Sequence, residues 1–200
     1  LSSVGINREF RLDKLESALL KLNDLGGVEA RSSLQPGKAP GTTDVVLTLK
    51  TTDQVLGQVG VNNHTVQYTG PYQAEGTVSF LGLLGKGESF TVNGGYSGNI
   101  DWYGSRRLSG NGSVPLTPDG LSWIGSYSFT DYRLLKEFVP DNYKGNGLIG
   151  TLGLSQILWR RPKKNITINW LGEVDHFTDS VLGIQYSNRT NVITRVALQA

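Results

Sequence analysis

His64 and His176 are the only side chains in this sequence that ordinarily titrate near neutrality, so a catalytic base or a nitrogen-ligated metal site would have to start from one of them. They lie far apart in the chain, each beside an expected loop. Glu173 and Asp175, the carboxylates nearest His176, precede it on one expected strand and do not build a nucleophile, base and orienting partner. Cysteine is absent, which removes thiolate chemistry, disulfides and sulfur-ligated metals. The glycines fall at strand positions and turns rather than between a strand and a helix, so no phosphate-cradling loop is expected. These residues predict no enzyme, no cofactor and no metal.

Other patterns have weaker chemical meaning. Asn63-His-Thr, Asn111-Gly-Ser, Asn165-Ile-Thr and Asn188-Arg-Thr match the glycosylation acceptor, a permissive pattern in a chain rich in Asn and Thr. Arg106-Arg107 and Arg160-Arg161-Pro-Lys-Lys164 are basic clusters, the second falling at an expected turn, where solvated charge is the default reading. The second has an alternative reading as a contact for lipid phosphate. A formal net charge of +2 at pH 7 argues against nucleic acid as a partner.

The elements that would position these residues are mostly strands. In Tyr72 to Phe80, the residues Tyr72, Ala74, Gly76, Val78 and Phe80 alternate with Gln73, Glu75, Thr77 and Ser79. Glu88 to Tyr96 repeats the split, with Phe90, Val92, Gly94 and Tyr96 against Ser89, Thr91, Asn93 and Gly95. The same alternation runs through Val55 to Val61, Arg107 to Leu116, Leu121 to Thr130, Leu148 to Leu154, Ile166 to Val174 and Val192 to Leu198. Connections at 83–87, 117–120 and 161–164 are short, while those at 62–71, 98–105, 134–146 and 177–189 are long. Short turns on one side and long loops on the other, with aromatic Trp102, Tyr103, Trp123, Trp159 and Trp170 near strand ends, predict a transmembrane β-barrel. In a soluble β-sandwich or lipocalin-like binding protein, the competing reading, Trp123, Tyr127 and Phe129 would be a buried core.

Before Thr52 the pattern differs. Leu12, Leu15, Leu19 and Leu22 form one stripe of a helix over residues 11–24, stopped at Gly26-Gly27. Two strands, Val28 to Gln35 and Asp44 to Thr51, flank a loop rich in Pro and Gly. The chain has no Met and no basic-then-apolar leader, and is expected to be an internal piece of a longer protein.

Leu12-x-x-Leu-Glu-Ser-Ala-Leu-Leu-Lys-Leu-Asn-Asp-Leu-Gly-Gly-Val28, followed by Pro36-Gly and Pro40-Gly-Thr-Thr-Asp-Val-Val-Leu, resembles the second POTRA domain of two-partner secretion transporters of the ShlB/FhaC/HecB type. Tyr68-Thr-Gly-x-Tyr72 with Leu83-Leu-Gly-Lys-Gly-Glu88 is similar to the first barrel hairpin of that family, and 147–165 to a later strand pair. The resemblance implies a mainly β protein, with a partial α+β POTRA domain at 1–52 and the first half, about eight antiparallel strands, of a transmembrane β-barrel at 53–200. It implies an outer-membrane translocator with its POTRA part in the periplasm, exporting an unfolded haemolysin-type or adhesin-type partner without ATP. Partners would be that secreted protein and outer-membrane lipid, with no small-molecule substrate. An Omp85-type barrel-assembly factor is the nearest alternative.

Under that resemblance, client binding would use the edge strand residues Val28, Ala30, Ser32 and Leu34 and the groove beside Leu15 and Leu19. The lumen would be lined by Gln73, Glu75, Thr77, Ser79, Thr91, Asn93, Arg107, Ser126 and Ser128, mostly small neutral groups that hold a passing chain weakly. Arg107 would influence ion selectivity.

Overall fold

The computed structural model describes residues 11–99, 103–135, 137 and 141–200. Helix α1 (Leu12–Asn23) precedes β1 (Val28–Pro36) and β2 (Thr43–Thr51), which pair antiparallel as a separate two-stranded sheet. Its leucine stripe is buried only at Leu15, while Leu12 stays 53% exposed; α1 rests on β1, where Ala30 is also buried. The helix ends at Asn23 with Asp24 as its cap, short of the expected Gly-Gly stop, and Gly27, at φ 77, turns the chain into β1.

The rest of the described chain is one eight-stranded antiparallel sheet in sequence order. Its strands are β3 (Val55–Asn62), β4 (Gln73–Leu81), β5 (Ser89–Gly98), β6 (Gly104–Pro115), β7 (Leu121–Arg133), β8 (Lys144–Arg161), β9 (Lys164–Val181) and β10 (Ile184–Gln199). Each strand pairs with the next, leaving β3 and β10 at the edges. All eight expected strands are present, and the mainly β fold class holds.

The last three strands are longer than the apolar alternation predicts. A long loop over 177–189 is expected from sequence; instead β9 and β10 continue to a tight turn at Leu182-Gly183, with φ 52 and 80. Two consecutive left-handed residues match the twist of the flanking strands, which is what a two-residue hairpin requires. The pairing was hidden because alternation marks a strand only where its faces meet different surroundings. Beyond Val174, Thr178 and Ser180 on one face and Asp179 on the other are all polar, yet the backbone ladder continues.

Register joins the alternations into two continuous faces. One row runs Val78, Val92, Gly110, Tyr127, Gly150, Val174 and Val192, and another of the same face, two rows on, includes Trp123, Leu154, Trp170 and Val196. This apolar face is exposed: Val59 is 91% exposed, Trp170 61% and Trp123 56%. Tyr127 and Phe129 are exposed with them. The buried aromatic core of the soluble alternative is therefore contradicted among the described residues. The apolar stretches, Leu121 to Phe129 on β7 and Ile166 to Val174 on β9, match the roughly 9–11 residues with which a tilted strand crosses a bilayer.

Candidate functional site

The opposite face holds every residue expected to line a lumen. Gln73, Glu75, Thr77 and Ser79 of β4 lie across from Ser97, Gly95, Asn93 and Thr91 of β5, and register carries the same face through Arg107 of β6 to Ser126 and Ser128 of β7. Several hydroxyls and amides pair with one another: Thr77 Oγ1 donates to Asn93 Oδ1 at 2.8 Å, and Ser79 and Thr91 share a 3.0 Å bond. Ser89 and Ser113 extend the ladder at 3.0 Å. Groups already paired sideways have few strong bonds left to offer. Farther round the sheet the same face becomes charged, with Glu173 paired to Arg195 at 3.3 Å and Asp175 next to it.

His176 faces away from Asp175 and Glu173, because neighbours on a strand alternate sides. Its Nδ1 lies 2.9 Å from Thr190 Oγ1 on β10. His64 sits in the exposed connection after β3. The two histidines are not brought together.

In the helix and hairpin unit, Leu15 and Ala30 are buried, Leu19, Val28 and Ser32 are half-buried and Leu34 is 48% exposed. The expected groove is thus largely filled by its own walls near Ala30. The free edge of β1 is also partly occupied. Asn23 Nδ2 donates to the Ala30 carbonyl at 3.0 Å, and its Oδ1 accepts the Ala30 N–H at 2.7 Å. One side-chain amide thereby acts as a strand residue would. Backbone groups alternate direction along a strand, so Ser32 and Leu34 present theirs to the same edge beyond this clamp.

The unit is joined to the large sheet at its short-turn end. Arg160 of β8 makes a fork with Asp24, Nε at 2.8 Å and Nη2 at 2.6 Å, and Arg161 reaches Asp13 at 3.3 Å. Asp24 pushes the Arg160 pKa up, and the Arg11 guanidinium, with Arg161 beyond it, holds the Asp13 carboxyl below the usual range. Lys21 donates to the Asp119 carbonyl in the β6–β7 turn at 3.1 Å. The default reading of Arg160 and Arg161 as solvated charge is therefore corrected: both are paired to α1 or its C-terminal cap.

Beside these pairs, backbone meets backbone. The Gly26 N–H donates to the Gly87 carbonyl at 2.9 Å, and a Cβ on Gly26 would stand 2.3 Å from the Glu88 carbonyl oxygen. Gly82, at φ 64, presses equally close to the Gly26 carbonyl. Glu88, 1% exposed, fixes this β4–β5 turn by accepting the Leu84 and Lys86 N–H groups, which hold its carboxyl below its ordinary value. Between α1, the β6–β7 turn and the end of β8 lies a cleft of about 770 Å³.

The family model for the haemolysin secretion/activation proteins ShlB/FhaC/HecB matches residues 41–196, well over half of the chain. The chain belongs to this family. Over 95 residues, 46% of the chain, this ShlB-family sequence is 30% identical to the heme/hemopexin transporter protein HuxB of Haemophilus influenzae. Its fold is similar to CdiB from Escherichia coli, with a TM-score of 0.72 at 24% identity over 89% of the chain. It is also similar to CdiB from Acinetobacter baumannii, at 0.65 and 17% over 94%. The chain spans 17% of the HuxB relative and 34% and 37% of the two CdiB chains.

Asn23, Asp24 and Glu88 are the site residues that sequence reading passes over in this ShlB-family chain. Asn23 ends an amphipathic helix, where a polar residue is unremarkable, and Asp24 and Arg160 are 136 positions apart. Glu88 carried a usable signal: a carboxylate two residues after Lys86 in a turn with glycines at 85 and 87 is placed to accept turn N–H groups. Trp123 and Trp170 share one row across Leu154, as an aromatic belt would need. Trp102 lies outside the described residues.

Proposed function

We propose that this chain is the joint and opening strands of an outer-membrane translocator that exports an unfolded partner protein by two-partner secretion, without ATP. Residues 1–52 form the end of a periplasmic POTRA domain and residues 53–200 the N-terminal half of a closed barrel. One observation carries this reading: a single sheet has a continuous exposed apolar face and, behind it, a mostly neutral hydroxyl-lined face. An open sheet edge cannot remain in hydrocarbon, so in the membrane the edges of β3 and β10 must be paired.

A client of haemolysin or adhesin type pairs first with the free edge of β1 at Ser32 and Leu34, beyond the Asn23 clamp. It then moves along the face carrying Thr77, Ser79, Thr91, Asn93, Ser126 and Ser128, where weak binding permits transit. Glu75 and Arg107 on that face set its charge preference. The HuxB name attaches heme and hemopexin transport to that relative; for this chain the cargo class is an unfolded secreted protein.

The test is recovery of the full-length parent in outer-membrane vesicles, with a co-expressed partner assayed in the medium. A heat-modifiable band, tryptophans quenched by brominated acyl chains and partner-dependent export are the expected results. A folded parent with unquenched tryptophans overturns the membrane reading. A quenched, folded parent that exports nothing but inserts other barrels overturns the secretion reading in favour of barrel assembly.

A further inference from the structure

The β8–β9 turn gathers positive charge at the border of the apolar face. Arg161 and Lys164 are direct cross-strand partners, and Trp159 with Ile166, two positions on, forms the next pair on the same face toward the apolar band. Trp159 owes its side of the sheet to a bulge. The register shift between Ile157 and Trp159 inserts one residue, so the indole joins the face of Ile166, Ile168 and Trp170 rather than the polar one. Both cations are held on that ring, with Arg161 Cζ 5.1 Å and Lys164 Nζ 5.2 Å from its centroid.

Like charges directly opposite one another in a hairpin repel, and indole contact alone does not neutralise them. Lys163 adds a third cation in the same turn, and the acidic group within ion-pair distance is Asp13, 3.3 Å from Arg161. Among the described residues Lys164 has no ion pair. Arg160 is excluded from the cluster by its fork to Asp24. What remains is an exposed Trp at the end of an apolar band with two cations two residues beyond it on the same side, Arg161 sharing Asp13 and Lys164 without an ion pair among the described residues. Phosphates lie at that depth in a bilayer, where indole rings also settle.

We propose that Trp159, Arg161 and Lys164 form a binding site for the phosphate of an anionic phospholipid headgroup in the leaflet at the short-turn end. The proposal rests on the membrane-spanning reading. The lipid phosphate relieves the Arg161–Lys164 repulsion. Because Arg161 also reaches Asp13, occupation of the site bears directly on the contact between α1 and the sheet.

The test uses the full-length parent in nanodiscs of phosphatidylcholine containing phosphatidylglycerol, with retained lipids counted by native mass spectrometry. Wild type is expected to retain phosphatidylglycerol in preference to phosphatidylcholine. Arg161→Gln/Lys164→Gln is expected to weaken that preference by roughly 30-fold, from the usual worth of two surface cations at an anionic leaflet. Arg161→Lys/Lys164→Arg keeps it. Should the double Gln variant misfold, Lys164→Gln alone, which breaks no ion pair among the described residues, is expected to lose roughly fivefold. Equal phosphatidylglycerol preference in wild type and the folded Gln variant overturns the site. Quenching of Trp170 by brominated acyl chains, read against Trp170→Phe, separates the two failures. Unquenched Trp170 sinks the membrane reading itself, and quenched Trp170 without headgroup preference sinks only this site.

Discussion

Arg160 and Asp24 face each other as a planar fork, at 2.8 and 2.6 Å, across the boundary between the helix and hairpin unit and the large sheet. Both groups are partly exposed, so the pair contributes about 1 kcal/mol or less in water. Its importance is orientational. Asp24→Arg or Arg160→Asp is expected to raise hydrogen exchange in α1 and in the β4–β5 turn together. Combining the two reversals is expected to restore protection, and a double variant no better than either single one would count against a direct pairing.

Asn23→Ala removes the amide that satisfies both backbone groups of Ala30. The expected cost is about 1–3 kcal/mol, the range for leaving partly buried polar groups unpaired. If the β1 edge takes the client, the same change lengthens the usable edge by one pairing position. Client-peptide binding should then hold steady or improve while thermal stability of the unit falls, a split that calorimetry and a peptide-binding titration can read.

Glu88 predicts an acid-sensitive turn. Its carboxyl is held below its ordinary value of 4.5 by the Leu84 and Lys86 N–H groups. A lowered folded-state value means the contribution is complete above 4.5 and lost as pH falls through the folded value. Exchange of the segment 82–89 should therefore rise below that pH in wild type. In Glu88→Gln it should be raised already at neutral pH and change little on acidification.

The two faces of β8 predict opposite responses to one substitution. Leu152→Arg places charge on the apolar face, where it is expected to cost about 2–4 kcal/mol near the bilayer midplane. Thr151→Arg, one residue away, projects beside Glu173 of the polar face and is expected to be near neutral. Folding yield into vesicles, scored by heat-modifiability, distinguishes them.

Gly26→Ala tests the close approach of the two units. Its Cβ would lie 2.3 Å from a backbone oxygen that has no flexible side chain to yield. The joint is expected to open, with exchange rising at Gly87 and Glu88 while the β5–β6 ladder stays protected.

The sheet was legible in the sequence because a bilayer-crossing strand separates apolar from polar residues at every step. Val78 against Thr77, or Trp170 against Asn169, is enough to assign a face. Where both faces are polar, as around Asp179 and Asn188, the same backbone geometry leaves no compositional trace. The joint was illegible for another reason. Asp24 with Arg160 and Gly26 with Glu88 are contacts between distant segments, and local patterns carry no record of distance in space. The bulge at Leu158 was equally hidden, although without it Trp159 would point to the wrong side.

Strand length climbs around the sheet, from 8 residues in β3 through 10 in β5 and 13 in β7 to 18 in β8 and β9. If the short turns share one plane at the bilayer, the 10 extra residues of β9 over β3 stand above the opposite surface. At about 3.3 Å per residue and a tilt near 45°, that is roughly 20 Å of additional wall. Under the proposed translocator reading, such a pore would have an obliquely cut mouth, high on the β8–β10 side and low beside β3. An emerging polypeptide would lean against a polar stave on one flank and meet open water on the other, giving its first folded turns a preferred side.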